Sequence, residues 1–158
     1  MSPSSRATRR WRRPRPDLIL AGPPDGALGF RGRLDPAAAR HDPVSHPDAI
    51  SGALRGRTAH ADGVLVYALA GEIDIAATTG LQARIAELAD ATEGDVVLDL
   101  SDVTFVDSSG LFTLIVLRDI VLSSGRGFVL AAPRGEVRRA LDLTGMLDVF
   151  TIEDLPRA

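Results

Sequence analysis

Val103–Leu117 reads "VTFVDSSGLFTLIVL". Four small or polar residues, Asp107, Ser108, Ser109 and Gly110, stand between two apolar runs. The left run begins at Val96, in "VVLDLSDVTFV", and its near-continuous apolar start is the pattern of a sheet strand covered on both faces. The right run, Leu111–Leu122, is apolar almost all round, so periodicity alone does not choose between helix and strand. Its length and the "SSGRG" exit at Ser123–Gly127 predict a helix. The polar turn therefore reads as a strand-to-helix junction.

Working outward, "ALRGRTAH" at Ala53–His60 and "VLVYALAG" at Val64–Gly71 predict two antiparallel strands joined at Asp62-Gly63, a hairpin turn signal. A helix follows, capped by Thr78 or Thr79, with Leu81, Ile85 and Leu88 on one stripe and Thr92–Gly94 closing it. Beyond the second helix, Phe128–Ala131 predicts a short buried strand stopped by Pro133. Glu136–Thr144 predicts a helix with Val137, Ala140, Leu141 and Thr144 on one face and Gly145 as its C-terminal cap. "VFTI", Val149–Ile152, predicts a last strand. This order implies an α/β domain whose mixed sheet of four to five strands carries three to four helices, with parallel pairs joined by crossovers. Asp107–Gly110 then lies at the carboxyl edge of the sheet, where such domains present functional groups.

The chain has 158 residues and is 45% hydrophobic, enough for one globular domain with a tail. Residues 1–49 predict a disordered extension rich in Arg, Pro, Gly and Ala, and residues 50–158 the folded domain. Charge divides the same way. Met1–His60 holds 11 arginines against 5 aspartates, whereas Ala61–Ala158 holds 7 arginines against 16 acidic residues. The cluster of Arg6, Arg9, Arg10, Arg12, Arg13 and Arg15 around Trp11 reads as a solvated tail, without the folded platform a nucleic-acid contact needs. No apolar run approaches the ~20 residues of a membrane span. The Arg-rich start lacks the ~7–15-residue apolar core of a signal peptide, so a soluble, cytoplasmic protein is expected.

There is no cysteine, which excludes disulfides, thiolate catalysis and cysteine-based zinc sites. His41, Asp42, His46 and Asp48 form a conceivable metal cluster, but in a Pro-rich tail they read as solvated residues, and neither metal nor cofactor is expected. Ser123 and Ser124 read as a helix end. For Ser108 and Ser109 three roles compete. A nucleophile needs a base, yet His41, His46 and His60 lie in the tail or on the first strand, and "VDSSG" lacks the first glycine of a G-x-S-x-G elbow. A helix cap is something any serine supplies by accepting bonds from the first-turn amides. A switch is the third role: phosphorylation adds about −1.5 to −2 charges, which a helix N-terminus tolerates and a docked partner need not.

"LDLSDVTFVDSSGL" at Leu98–Leu111, with "LAGEIDIA" at Leu69–Ala76, resembles the STAS domain of bacterial anti-sigma factor antagonists. The resemblance runs over roughly Ser51–Leu155 and includes "GRGFVLAAP" and "VRRALDLTGMLDVF" in the same order. It implies a regulatory binding module and not an enzyme. The implied partner is an anti-sigma factor that is itself a serine kinase, bound by the unphosphorylated antagonist so that a sigma factor is released. Phosphorylation falls on the first serine after the aspartate, here Ser108, and a serine phosphatase reverses it. Asp74, in "GEID", and Asp107, with Ser108, Ser109 and Gly110, would form the docking surface, with no direct nucleic-acid contact. Phe112 and Thr113 depart from the family, where small residues are common at these positions, and bear on partner choice. The other readings are a STAS module of a stress-signalling scaffold or lipid-transport complex and, from another class, a small serine hydrolase.

Overall fold

The structure, a computed structural model, describes residues 47–61 and 63–154. The Arg-rich cluster, Trp11, His41, Asp42, His46 and Asp62 lie outside the described residues, as does the expected extension except for its last three positions. Six strands form one sheet: β1 (Asp48–Ala49), β2 (Leu54–Ala61), β3 (Val64–Ile73), β4 (Val96–Val106), β5 (Phe128–Ala131) and β6 (Thr151–Glu153). They lie side by side in chain order. β1, β2 and β3 are antiparallel neighbours, and β3 through β6 are parallel. Three α-helices, α1 (Thr78–Ala91), α2 (Ser108–Ser123) and α3 (Gly135–Leu143), make the crossovers.

The sheet thus has six strands where four to five were expected. The addition is β1, whose two residues are too few to show a period of two. Asp48 is tied inward: its Oδ2 accepts from Arg84 Nε at 2.6 Å and from the Tyr67 hydroxyl at 3.4 Å. Tyr67 reaches this pair because position 56 is glycine; a Cβ there would stand 2.1 Å from the Tyr67 oxygen. The last strand begins two residues later than "VFTI", because Met146–Asp148 forms a 3-10 turn first.

Alternation on the strands divides the core. Leu65, Tyr67 and Leu69 of β3, Val96, Leu98 and Leu100 of β4, and Phe128 and Leu130 of β5 face the helices. They meet Leu81, Ile85 and Leu88 of α1, Leu111, Leu114, Leu117 and Val121 of α2, and Val137 and Leu141 of α3. Each such large side chain, fully buried, stabilises the fold by about 1.5–3 kcal/mol. Crossovers that always advance one strand in the same direction with one hand place every helix on one face. The opposite face holds a second, smaller cluster of Ala59, Val66, Val97, Val129 and Ala131, and among the described residues none from a helix belongs to it.

Candidate functional site

Parallel pairing of β3 with β4 brings Ile73 opposite Val106. The next residue on each strand is an aspartate, so Asp74 and Asp107 emerge together at the carboxyl edge of the sheet. Each begins a helical turn. Asp74 Oδ1 accepts from the Ala77 amide at 3.2 Å and caps the 3-10 turn Ile75–Ala77. Asp107 Oδ1 accepts from the Gly110 amide at 2.7 Å and caps α2. The Asp107 amide donates to Ile73 O at 3.3 Å, joining the two edges.

Gly110 permits this closeness. A Cβ at that position would lie 2.2 Å from Ile73 O and 2.6 Å from Val106 Cγ2. The first turn of α2 therefore packs directly on the end of β3. Thr113, fully buried, donates to Ser109 O at 2.8 Å and its hydroxyl lies 3.1 Å from that of Thr78, linking α2 to the start of α1.

Two capping expectations are corrected. Asp107, not Ser108 or Ser109, caps α2; its carboxylate sits one residue outside the helix, where its oxygen reaches the third amide. Neither Thr78 nor Thr79 caps α1 by a side chain. Ala77 holds that position, and the Thr78 hydroxyl donates back to Asp74 O at 3.4 Å. Thr92 closes α1 as expected, and Gly145 follows α3 with a φ of 71°.

Relieved of the cap, Ser108 is the first residue of α2 and is exposed, while Asp74, Asp107 and Ser109 are half-buried and Gly110 is buried. Two large apolar side chains stand on the same edge: Ile75, 75% exposed, just after Asp74, and Phe112, 63% exposed, one turn into α2 beyond Ser108. The sequence reading noted Phe112 and missed Ile75. Its signal was an isoleucine directly after a capping aspartate, in a turn too short to bury it. The edge combines two capped carboxylates, a free hydroxyl and two exposed apolar anchors, a surface suited to a protein partner.

Among the described residues the hydrolase reading finds no histidine beside Ser108. His60, the histidine among the described residues, stands on β2 opposite Leu65. Leu65 lies eight residues before Ile73 on β3, roughly 26 Å at a strand's rise of about 3.3 Å per residue. Among the described residues no group of three His, Cys, Asp or Glu side chains is placed to hold a metal ion. No described helix is long and apolar enough to cross a membrane.

A sequence profile of the STAS domain matches residues 57–155. The chain belongs to the STAS-domain family. One similar curated protein, from Bordetella bronchiseptica, is named as an anti-sigma factor antagonist, BtrV; it is 29% identical over 91 residues, which cover 58% of this chain and 78% of that protein. A crystal structure of an anti-sigma factor antagonist from Mycobacterium paratuberculosis matches with a TM-score of 0.57 and 28% identity, over 68% of this chain and 90% of the other. One from Thermotoga maritima, also named as an anti-sigma factor antagonist, gives a TM-score of 0.54 and 26% identity, over 61% and 84%. The α/β STAS fold is therefore established for this chain.

Proposed function

We propose that this chain is an anti-sigma factor antagonist whose STAS domain, residues 50–158 behind an extension of residues 1–49, binds an anti-sigma factor serine kinase and thereby frees a sigma factor. The names of the similar proteins support the class. The observation that carries the switch is the exposed Ser108 hydroxyl at the start of a helix already capped by Asp107.

In the kinase complex the Ser108 Oγ attacks the γ-phosphorus of ATP, the bond to ADP breaks, and the serine proton passes to a base of the kinase. The product is a dianionic ester at the first turn of α2. The helix N-terminus favours that charge, so the fold is retained. The interface is not. Asp74 and Asp107 already make this edge acidic, and one unfavourable unit-charge contact at 4 Å near a surface costs about 4 kcal/mol, roughly a thousandfold in affinity. A serine phosphatase restores the hydroxyl and with it binding.

The test is incubation of the purified chain with an anti-sigma serine kinase and ATP. Labelling is expected in the parent and in Ser109→Ala and absent in Ser108→Ala. Labelling of Ser108→Ala at the parent's level would overturn the assignment.

A further inference from the structure

Two hydroxyls join the turns that form the docking edge. Thr113, in the second turn of α2, is 0% exposed, and Thr78, the first residue of α1, is half-buried. A hydroxyl carries one proton and two accepting lone pairs. The Thr113 proton serves Ser109 O at 2.8 Å, the usual bond of a helical threonine to the carbonyl four residues back. The 3.1 Å contact between the two hydroxyls then uses the Thr78 proton, which also reaches Asp74 O at 3.4 Å. These contacts run from the carbonyl of the residue after Ser108 to the carbonyl of the residue before Ile75. Among the described residues this is the one side-chain to side-chain hydrogen bond between α1 and α2.

Packing alone does not call for these hydroxyls. Valine has nearly the shape of threonine, and apolar replacement of a buried hydrogen-bonded pair is often neutral or stabilising. A hydroxyl pair fixes register instead, since its length and direction are satisfied at one relative placement of the two elements. The docking edge depends on that placement. Ala77 is 0% exposed and Ile75 is 75% exposed, so the turn Ile75–Ala77 is held from its inner side while its outer side chain stands in water. The start of α1 is also backed by Ile50, whose carbonyl oxygen would lie 2.9 Å from a Cβ at position 80. Toward α2, the tie is Thr78 to Thr113.

We propose that Thr113 and Thr78 are positioning residues for the docking surface. Their hydroxyl pair fixes the turn that carries Asp74 and Ile75 against the helix that carries Ser108 and Phe112, so the partner meets both apolar anchors at one spacing. The partner is the anti-sigma factor serine kinase, and on this point the inference rests on the antagonist function. Thr113 is buried and acts through Thr78 on Ile75. Two anchors already held in place cost a partner less to order than two that move independently. Without the hydroxyl bond the Ile75 turn is ordered only on docking, and affinity falls.

Two variants of the full chain separate this role from simple packing. Thr113→Val keeps the shape and loses the hydroxyl, leaving Thr78 its bond to Asp74 O, whereas Thr113→Ser keeps the hydroxyl and loses a methyl group. Urea unfolding is expected to rank Thr113→Val at or above Thr113→Ser, because an emptied methyl site in the core costs stability. Affinity for an anti-sigma factor serine kinase, read by calorimetric titration, is expected in the opposite order. It falls about fivefold in Thr113→Val, the worth of one hydrogen bond, and stays within about twofold of the parent in Thr113→Ser. Ile75→Ala should cost less affinity in the Thr113→Val background than in the parent, since the anchor is no longer held there. Exchange of the Ala77 amide, which Asp74 Oδ1 accepts, is measured without partner and should quicken in Thr113→Val but not in Thr113→Ser. Affinity that follows stability, additive effects of Ile75→Ala and Thr113→Val, or unchanged Ala77 exchange in Thr113→Val would each overturn the proposal. A parent chain that binds no such kinase would overturn the antagonist function and the docking role together, whereas equal binding by parent and Thr113→Val would overturn the docking role alone.

Discussion

The Asp107 carboxylate accepts the Gly110 amide at 2.7 Å, and that bond assigns the cap of α2 to the residue before Ser108. The serine is thereby left exposed on a turn that another residue holds. Replacing Ser108 should change partner binding and leave the helix intact, whereas replacing Asp107 should do the reverse to the helix.

Asp107→Ala removes the cap and is expected to cost about 1 kcal/mol. For a domain of roughly 100 residues that lowers Tm by about 4–8 °C. Asp107→Asn, which retains an accepting oxygen, should lose much less. Thermal melts of the three proteins followed by circular dichroism check this, and equal Tm values for Asp107→Ala and the parent would contradict the cap.

Gly110→Ala sets two effects against each other. Helix propensity favours alanine by about 1 kcal/mol in a helix interior. The added Cβ, however, would meet the Ile73 carbonyl oxygen at 2.2 Å, and that oxygen belongs to a central strand. Overpacking of this kind costs about 1–3 kcal/mol, so net destabilisation is expected in urea unfolding. Since the end of β3 must shift, Asp74 moves with it and kinase binding should weaken too.

Ile75→Ala and Phe112→Ala test the exposed anchors. Each side chain is mostly in water, so the stability change should stay within about 0.5 kcal/mol. Loss of a central interface side chain costs more than about 1 kcal/mol when it acts as an anchor, so affinity for the anti-sigma factor should fall by at least about fivefold. Calorimetric titration of both variants decides this, and unchanged affinity in both would place the docking surface elsewhere.

Tyr67 makes stability depend on alkaline pH. Burial first, and then the Asp48 carboxylate, push its phenol well above the ordinary value of 10.0. The folded state therefore favours the neutral phenol. This contribution is fully present below pH 10 and is lost as pH rises through the interval between the unfolded and folded values. Tm should fall above about pH 10, and Tyr67→Phe should remove the part of that fall due to the phenol. Tyr67 is the single tyrosine of the chain, so the ultraviolet titration of tyrosinate reports on it alone. A transition near pH 10 in the folded protein would contradict the burial.

The order of strands and helices was legible in the sequence because "VLVYALAG" and "VVLDL" are apolar runs of strand length, and Leu81, Ile85 and Leu88 repeat at helical spacing. β1 was not legible. Asp48 and Ala49 pair with Gly56 and Arg55 of β2, and the Asp48 side chain is held by Arg84 and Tyr67, residues distant in the chain. The cap was ambiguous because aspartate and serine accept first-turn amides about equally well, and only the backbone conformation at Asp107, extended with ψ −176°, selects one of them.

What the sequence by itself determined was the alternation of buried strand, polar turn and buried helix at "VTFVDSSGLFTLIVL", since hydrophobic period and turn chemistry are local properties. The register Ile73 to Val106 was decided only by the tertiary structure. Sheet pairing between strands separated by a whole helix sets Asp74 beside Asp107 and presents Ile75 and Phe112 around Ser108, and no spacing along the chain encodes that proximity.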